Sequence, residues 1–148
     1  MVNIREATVA DCNAIFDLIT ELAIFEKAPE MVINTPEQLR LDGFGPNPLY
    51  ICFVAESDDT IVGMSFCYIR YSTWVGRVLY LEDLIVTESK RHLGIGSALL
   101  EHTIQYGKAN NFKRVSWQVL DWNTPAIEFY KKYNAGFDPE WLNAWITL

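Results

Sequence analysis

The chain has 148 residues, half of them apolar, and carries a formal net charge of −7. That length points to one domain spanning residues 1–148, large enough to bury a core without disulfides or metals. The acidic balance argues against nucleic acid, which wants a basic face, and is compatible with a cationic small-molecule partner. The longest uninterrupted apolar run, residues 49–55, falls far short of the ~18 residues that a membrane span needs. The opening MVNIREAT lacks the basic-then-apolar layout of a signal peptide. Cys12, Cys52 and Cys67 are odd in number, widely spaced and set in apolar segments. They read as reduced, buried thiols of a cytoplasmic protein without membrane contact. Two histidines without ligand spacing give no reason to expect a metal.

Residues 3–8 read as a first strand. Thr8 and Asp11 form a T-x-x-D cap signal. Ile15, Leu18, Ile19, Leu22 and Ala23 follow at helical spacing, so a helix with one buried stripe is expected, ending before Pro29. Thr35 and Pro36 open a short helix that closes near Gly43, and Pro46 and Pro48 mark a loop. Residues 50–56 and 61–71 read as a hairpin around SDDT. Residues 77–89 form a further strand, on which Val78, Tyr80, Glu82, Leu84 and Val86 share a face if the alternation is regular. A helix runs from the two glycines to about Ala109. A buried strand follows at residues 115–120. Asn123 or Thr124 then caps a helix beginning at Pro125, and WLNAWITL reads as a last strand. The order is β-α-α-β-β-β-α-β-α-β: a mixed, mostly antiparallel α/β sheet with helices on both faces and one right-handed parallel crossover.

The most informative stretch is RHLGIGS, Arg91 to Ser97. A helix N-terminus presents unpaired N–H groups and partial positive charge. Glycines let backbone approach a ligand closely, and Arg91 adds a fork of donors, so the stretch suits a phosphate or pyrophosphate. A P-loop is excluded because no lysine follows Gly96. The Rossmann fingerprint is excluded because residue 99 is leucine and the loop follows a late strand. R-x-x-G-x-G between a long strand and a helix resembles the coenzyme-A pyrophosphate loop of the GNAT acetyltransferases.

The resemblance extends further. The element order resembles the GNAT order, and NTPAIEFYKKYNAGF resembles the family's tyrosine-bearing helix. LAIFEK, DGFG, NPLY, YSTWVGRVLYLED, RHLGIGS and VLDWN resemble the diamine (spermidine/spermine) N-acetyltransferases, with the closer likeness to the thialysine branch. This resemblance implies the single-domain GNAT (acyl-CoA N-acyltransferase) fold and acetyl-CoA as co-substrate, without a metal. It implies that backbone groups of Leu84, Ile85 and Val86 pair with the pantetheine arm. The loop Arg91, His92, Leu93, Gly94, Ile95, Gly96 and Ser97 is then expected to hold the pyrophosphate, with Asn123, Ala126 and Tyr130 on the cofactor's far side.

The chemistry sets its own demands. A primary alkylamine has a pKa near 10.4, so about one molecule in 2,500 is neutral at pH 7, and generating it costs about 4.6 kcal/mol. A base or a proton route is therefore expected, as are an acid for the leaving thiolate and N–H groups for the oxyanion. By resemblance Tyr130 protonates the sulfur; on residues alone it also reads as a core tyrosine of an amphipathic helix. By resemblance Glu82 draws the amine's proton through water; on residues alone it reads first as a satisfied strand carboxylate. Two adjacent acids, Glu82 and Asp83, in an apolar strand need an explanation. Alternation sends them to opposite faces unless a bulge intervenes, and a break between Glu82 and Val86 is expected. Phe25, Glu26 and Trp74, with Glu82 and Asp83, match the amine site. Ordinary packing and a solvated helix end are the bland alternatives for the first three. Glu26 is assigned the distal ammonium and Glu82 the reacting one.

His92 and Leu93 stand where the family carries a glycine and a variable residue, and Asn134 stands where it carries a glycine. Asparagine tolerates a left-handed cap. Two further readings stay open: a GNAT acting on a peptide or protein amine, and a non-enzymatic acyl-CoA sensor. The resemblance implies a homodimer, and WLNAWITL reads either as part of its interface or as interior strand.

Overall fold

The structure, a computed structural model, describes residues 1–148. The chain divides into two compact units, Met1–Trp117 and Gln118–Leu148.

In the first unit, β1 (Asn3–Glu6), α1 (Cys12–Phe25), α2 (Pro36–Phe44), β2 (Ile51–Ser57), β3 (Thr60–Ser72), β4 (Gly76–Val86), α3 (Ile95–Ala109) and β5 (Arg114–Ser116) follow in chain order. The five strands form one sheet in the order β1-β2-β3-β4-β5. Neighbours are antiparallel except β4 and β5, which run parallel as the crossover through α3 requires. Thr8 and Asp11 act as their spacing predicts: the Thr8 N–H donates to Asp11 Oδ2 at 2.7 Å, opening a short 3-10 turn that leads into α1. Thr35 caps α2 by accepting from the Gln38 N–H at 3.1 Å.

Alternation along the strands divides the core between two faces. Cys12, Ile15 and Leu18 of α1 and Leu39 of α2 pack on Cys52, Val54, Met64 and Ile85. On the other face Ile95 and Leu99 of α3 pack on Phe53, Ala55 and Val62, with Leu84 and Val86 beside them. Burying each such side chain contributes roughly 1.5–3 kcal/mol. The three cysteines are buried and free. Gly43 is required where it stands, because a Cβ there would run into the Tyr50 ring. That ring's hydroxyl donates to the Leu39 carbonyl at 2.6 Å.

The second unit carries α4 (Thr124–Lys131), capped by the Asn123 side chain, which accepts from the Ala126 N–H at 3.3 Å. Asn134 takes φ 55°, the left-handed turn that its residue type permits. The strand expected at residues 115–120 is confined to Arg114–Ser116, the stretch that lies beside β4 residues 78–80. The strand expected of WLNAWITL does not form. Trp141, Leu142, Trp145 and Ile146 are exposed, and no strand pairs with them. Apolar content favours burial but does not supply the neighbouring edge that a strand's N–H and C=O groups need.

Candidate active site

Two irregularities in β4 build the site. The first is a bulge. Phe66 of β3 pairs with Asp83 and Cys67 with Leu81, so Glu82 has no partner across the ladder. The break falls on the first residue of the interval expected to contain one. Its effect is on side-chain direction. Tyr80 faces the α1–α2 side, where its ring meets Tyr68. After the extra residue, Ile85 faces that side too, while Leu84 and Val86 face α3. Glu82 and Asp83 therefore both turn toward the α1–α2 face, against plain alternation.

The second irregularity is a parting of strands. β5 pairs with β4 only from Val78 to Tyr80. From Leu81 to Val86 the β4 backbone has no β5 ladder along that edge, so main-chain donors and acceptors of this half are open to an extended ligand. The side chains of Leu84, Ile85 and Val86 are core residues, so only their backbone is on offer.

Beyond β4 the chain turns sharply into α3. His92 and Gly94 both lie in the left-handed region, at φ 64° and 79°. Glycine accepts this freely, whereas histidine does so at a cost, which gives the physical reason for a glycine at residue 92 in the resembling pattern. Gly94 is the N-cap of α3 and brings no side-chain cap. The helical ladder begins with Ala98 N–H donating to the Gly94 carbonyl at 3.0 Å, so the N–H groups of Ile95, Gly96 and Ser97 precede it. A Cβ placed at Gly94 would meet nothing within 4 Å, so it is the left-handed φ and not crowding that calls for glycine there. This donor set fits a pyrophosphate.

Arg91, expected to help hold the pyrophosphate, is engaged by the protein itself. Its Nε donates to the Val86 carbonyl at 2.9 Å, its guanidinium lies 3.9 Å from Glu21 Oε1, and it stands 5.4 Å over the Phe25 ring. Glu21 is the residue that sequence reasoning missed. It accepts from Thr87 Oγ1 and from the Glu88 N–H, both at 2.9 Å, and so ties α1 to the start of the loop. The available signal was an acid three residues past Leu18, at the margin of an apolar stripe.

On the α1–α2 side no salt bridge reaches Glu26, Glu82 or Asp83, and the Arg70 guanidinium, 5.4 Å over the Tyr80 ring, is the cation nearby. Burial, then the charges of Glu82 and Glu26, push the Asp83 carboxyl up to about 7. Partial burial at the end of α1 also raises Glu26. Glu82 borders an open groove of ≈ 420 Å³, with Asn34, Leu39, Asp42, Leu49, Tyr50, Phe66 and Tyr68. Trp74, expected at this mouth, is at the tip of the β3–β4 hairpin, 89 % exposed, and lines no part of the groove. Asn123, Ala126 and Tyr130 belong to the second unit. Tyr130 is buried, and burial pushes its phenol up to about 12. No group of His, Cys, Asp or Glu is arranged to hold a metal ion, and no helix is long and apolar enough to cross a membrane.

This strand, turn and helix sit within residues 13–137, which match the Acetyltransferase (GNAT) family profile; the chain belongs to that family and is, by that membership, an N-acetyltransferase. It is 40% identical over 142 residues to the thialysine N-epsilon-acetyltransferase of Bos taurus, covering 90% of this chain and 84% of that one. The protein of the same name from Caenorhabditis elegans is 36% identical, over 88% of this chain and 81% of its own. The Homo sapiens spermidine/spermine N(1)-acetyltransferase-like protein 1 is 37% identical over 89% of this chain but only 20% of its own length. Among solved structures, an aminoglycoside acetyltransferase from an uncultured soil metagenomic sample shares the fold. Its TM-score is 0.81 at 22% identity, covering 99% of this chain and 96% of that one. A predicted acetyltransferase from Clostridium acetobutylicum, solved with acetyl-CoA, has a TM-score of 0.75 at 21% identity, over 97% and 96% of the two chains.

Proposed function

We propose that the protein transfers the acetyl group of acetyl-CoA to a primary amine of a small cationic substrate, a diamine or thialysine-like compound, by direct attack in a ternary complex. The observation that carries this reading is the bulge at Glu82. It turns two adjacent carboxylates to one face on the very half-strand whose other edge has no partner. Relatives named for thialysine and for spermidine/spermine acetylation, at 36–40% identity, support the substrate class.

In this reading the amides of residues 94–97 bind the pyrophosphate, with His92, Leu93 and Arg91 shaping the loop, and the open backbone of Leu84–Val86 aligns the pantetheine arm. Asn123 and Ala126 flank the cofactor. An acetyl thioester supplies an acyl carbon for nitrogen to attack, and backbone N–H groups along the parted strand stabilise charge on its oxygen. Glu82, with Asp83 beside it, attracts the ammonium and accepts its proton. Asp83, whose carboxyl is pushed up to about 7, is itself matched to proton transfer near neutrality. Glu26 and Phe25 complete the amine site from the end of α1, while Trp74, at the exposed hairpin tip, stands outside it. Tyr130, kept protonated by burial, donates to the departing sulfur. The family match across residues 13–137 supports treating the chain as one catalytic domain. The buried free thiols support a cytoplasmic setting. The exposed residues Trp141, Leu142, Trp145 and Ile146 are the surface proposed for a homodimer.

The experiment is release of free thiol from acetyl-CoA with a panel of amines. Thiol release with short diamines or thialysine confirms the reading, and release with peptide amines alone shifts it to protein acetylation. Binding of coenzyme A without release for any amine makes the protein an acyl-CoA sensor.

A further inference from the structure

The groove beside Glu82 reaches a residue that the amine chemistry has not yet used. Asp42, in the last turn of α2, borders the same groove as Glu82. Its Oδ1 accepts from Gln38 Nε2 at 2.9 Å, and its carbonyl accepts from the Leu49 N–H at 2.7 Å, so both its side chain and its backbone are held. No lysine or arginine of the chain makes an ion pair with either Asp42 or Glu82. Leu39, Tyr50, Phe66 and Tyr68 line the same groove as the two acids. The Tyr50 and Phe66 rings lie 4.2 Å apart and continue into the core.

This arrangement selects by chemistry. An anion would meet two carboxylates that no ion pair neutralises. A purely apolar ligand would strip water from both acids and return nothing. A monoamine neutralises one acid and leaves the other. Two ammonium groups joined by methylenes match the lining best: an acid is available to each cation, and aliphatic and aromatic side chains are available to the spacer.

We propose that this groove is a distal-cation subsite, in which Asp42 binds the second ammonium of an α,ω-diamine while Glu82 receives the reacting nitrogen. The inference rests on the amine-acetylation reading above and deepens it. It moves the distal cation from Glu26 to Asp42. Glu26 couples to Asp83 and lines no part of the groove, so it acts on the reacting end. Asp42 is then a specificity-determining residue.

The test compares butane-1,4-diamine with butylamine as substrates of the wild type, D42N, D42E and E26Q, each first checked for a wild-type unfolding midpoint. In D42N the diamine-to-monoamine ratio of kcat/KM falls about tenfold, the scale of one lost ammonium–carboxylate contact, through KM rather than kcat. D42E, which keeps the charge, restores most of the ratio. E26Q lowers kcat/KM for both amines and leaves the ratio within about twofold. An unchanged ratio in D42N, or a collapse of the ratio in E26Q alone, overturns the proposal. Calorimetric titration of butane-1,4-diamine into wild type and D42N separates the two layers. If no amine releases thiol, the enzymatic reading falls while diamine binding that D42N weakens about tenfold still supports the groove. Equal binding by the two proteins rejects it.

Discussion

Replacing Asp83 with asparagine tests the electrostatics of the bulge without any assumption about substrate. In the native chain its carboxyl is pushed from 3.8 up to about 7, first by burial and then by Glu82 and Glu26. Between those two pH values the native protein keeps a proton that the unfolded chain has released. The contribution of Asp83 to stability is therefore fully present below about pH 4 and is lost as pH rises through 7. At about 1.4 kcal/mol per tenfold change in proton affinity, the whole gap corresponds to about 4 kcal/mol, of which roughly 2–3 kcal/mol is lost between pH 5 and pH 8. D83N removes that titration. Urea unfolding of both proteins at pH 5 and pH 8 is the assay. The advantage of D83N over wild type is expected to grow by roughly 2–3 kcal/mol from the lower to the higher pH. The same penalty is what a bound ammonium relieves, so amines should stabilise wild type more at pH 8 than at pH 5, and D83N less at both. If the wild-type and D83N stabilities run parallel across this range, Asp83 is not held near neutrality, and the argument that three carboxylates await a cation fails.

The turn into α3 is probed by G94A and H92G. Alanine at φ 79° costs about 1–2 kcal/mol and meets no atom, so G94A should lower stability and raise KM for acetyl-CoA, while H92G relieves strain and stabilises by up to about 1 kcal/mol. A stability loss in G94A with unchanged KM would separate the turn from the cofactor. E21Q loosens the loop from α1, so KM for acetyl-CoA should rise severalfold with kcat little altered; a pure fall in thermal midpoint would reduce Glu21 to a structural tie. Y130F should cut turnover while sparing coenzyme A affinity. Because burial keeps the phenol protonated up to about pH 12, a rate loss on the alkaline side below pH 10 must come from another group.

Helical spacing was the most legible signal. The stripe of Ile15 and Leu18, the caps at Thr35 and Asn123, and the glycine turn at residue 94 all act locally and stand where the pattern puts them. The left-handed turn at Asn134 was legible for the same reason. What the pattern could not convey is pairing. WLNAWITL has the composition of a strand, but only a neighbouring edge makes one, and edges are set by distant sequence. Glu21 and Asp42 were missed likewise. Each takes its meaning from partners far along the chain: Thr87 and Glu88 for the first, Tyr50, Phe66 and Glu82 for the second. A single acid near an apolar helix stripe carries no mark of what will lie opposite it.

The bulge shows how such long-range pairing becomes chemistry. Phe66 and Cys67 are consecutive on β3, yet their partners, Asp83 and Leu81, skip Glu82. Were the pairing continuous, Asp83 or Glu82 would face α3, where Leu99 and Ile95 offer only hydrocarbon, and an ionised carboxyl there would be prohibitively costly. The extra residue keeps both acids out of that face. It lies two residues past Tyr80, where β5 ceases to pair and the opposite edge of β4 is released. One short stretch of strand thus presents paired acid side chains to one ligand and unpaired backbone to another. Deleting Glu82 would set Leu81 and Asp83 side by side opposite Cys67 and Phe66, so the pairing becomes regular with Asp83 still on the α1–α2 face; stability should be largely kept while amine acetylation falls with the lost carboxylate, and a collapse of the fold would show that the bulge does more than aim the acids.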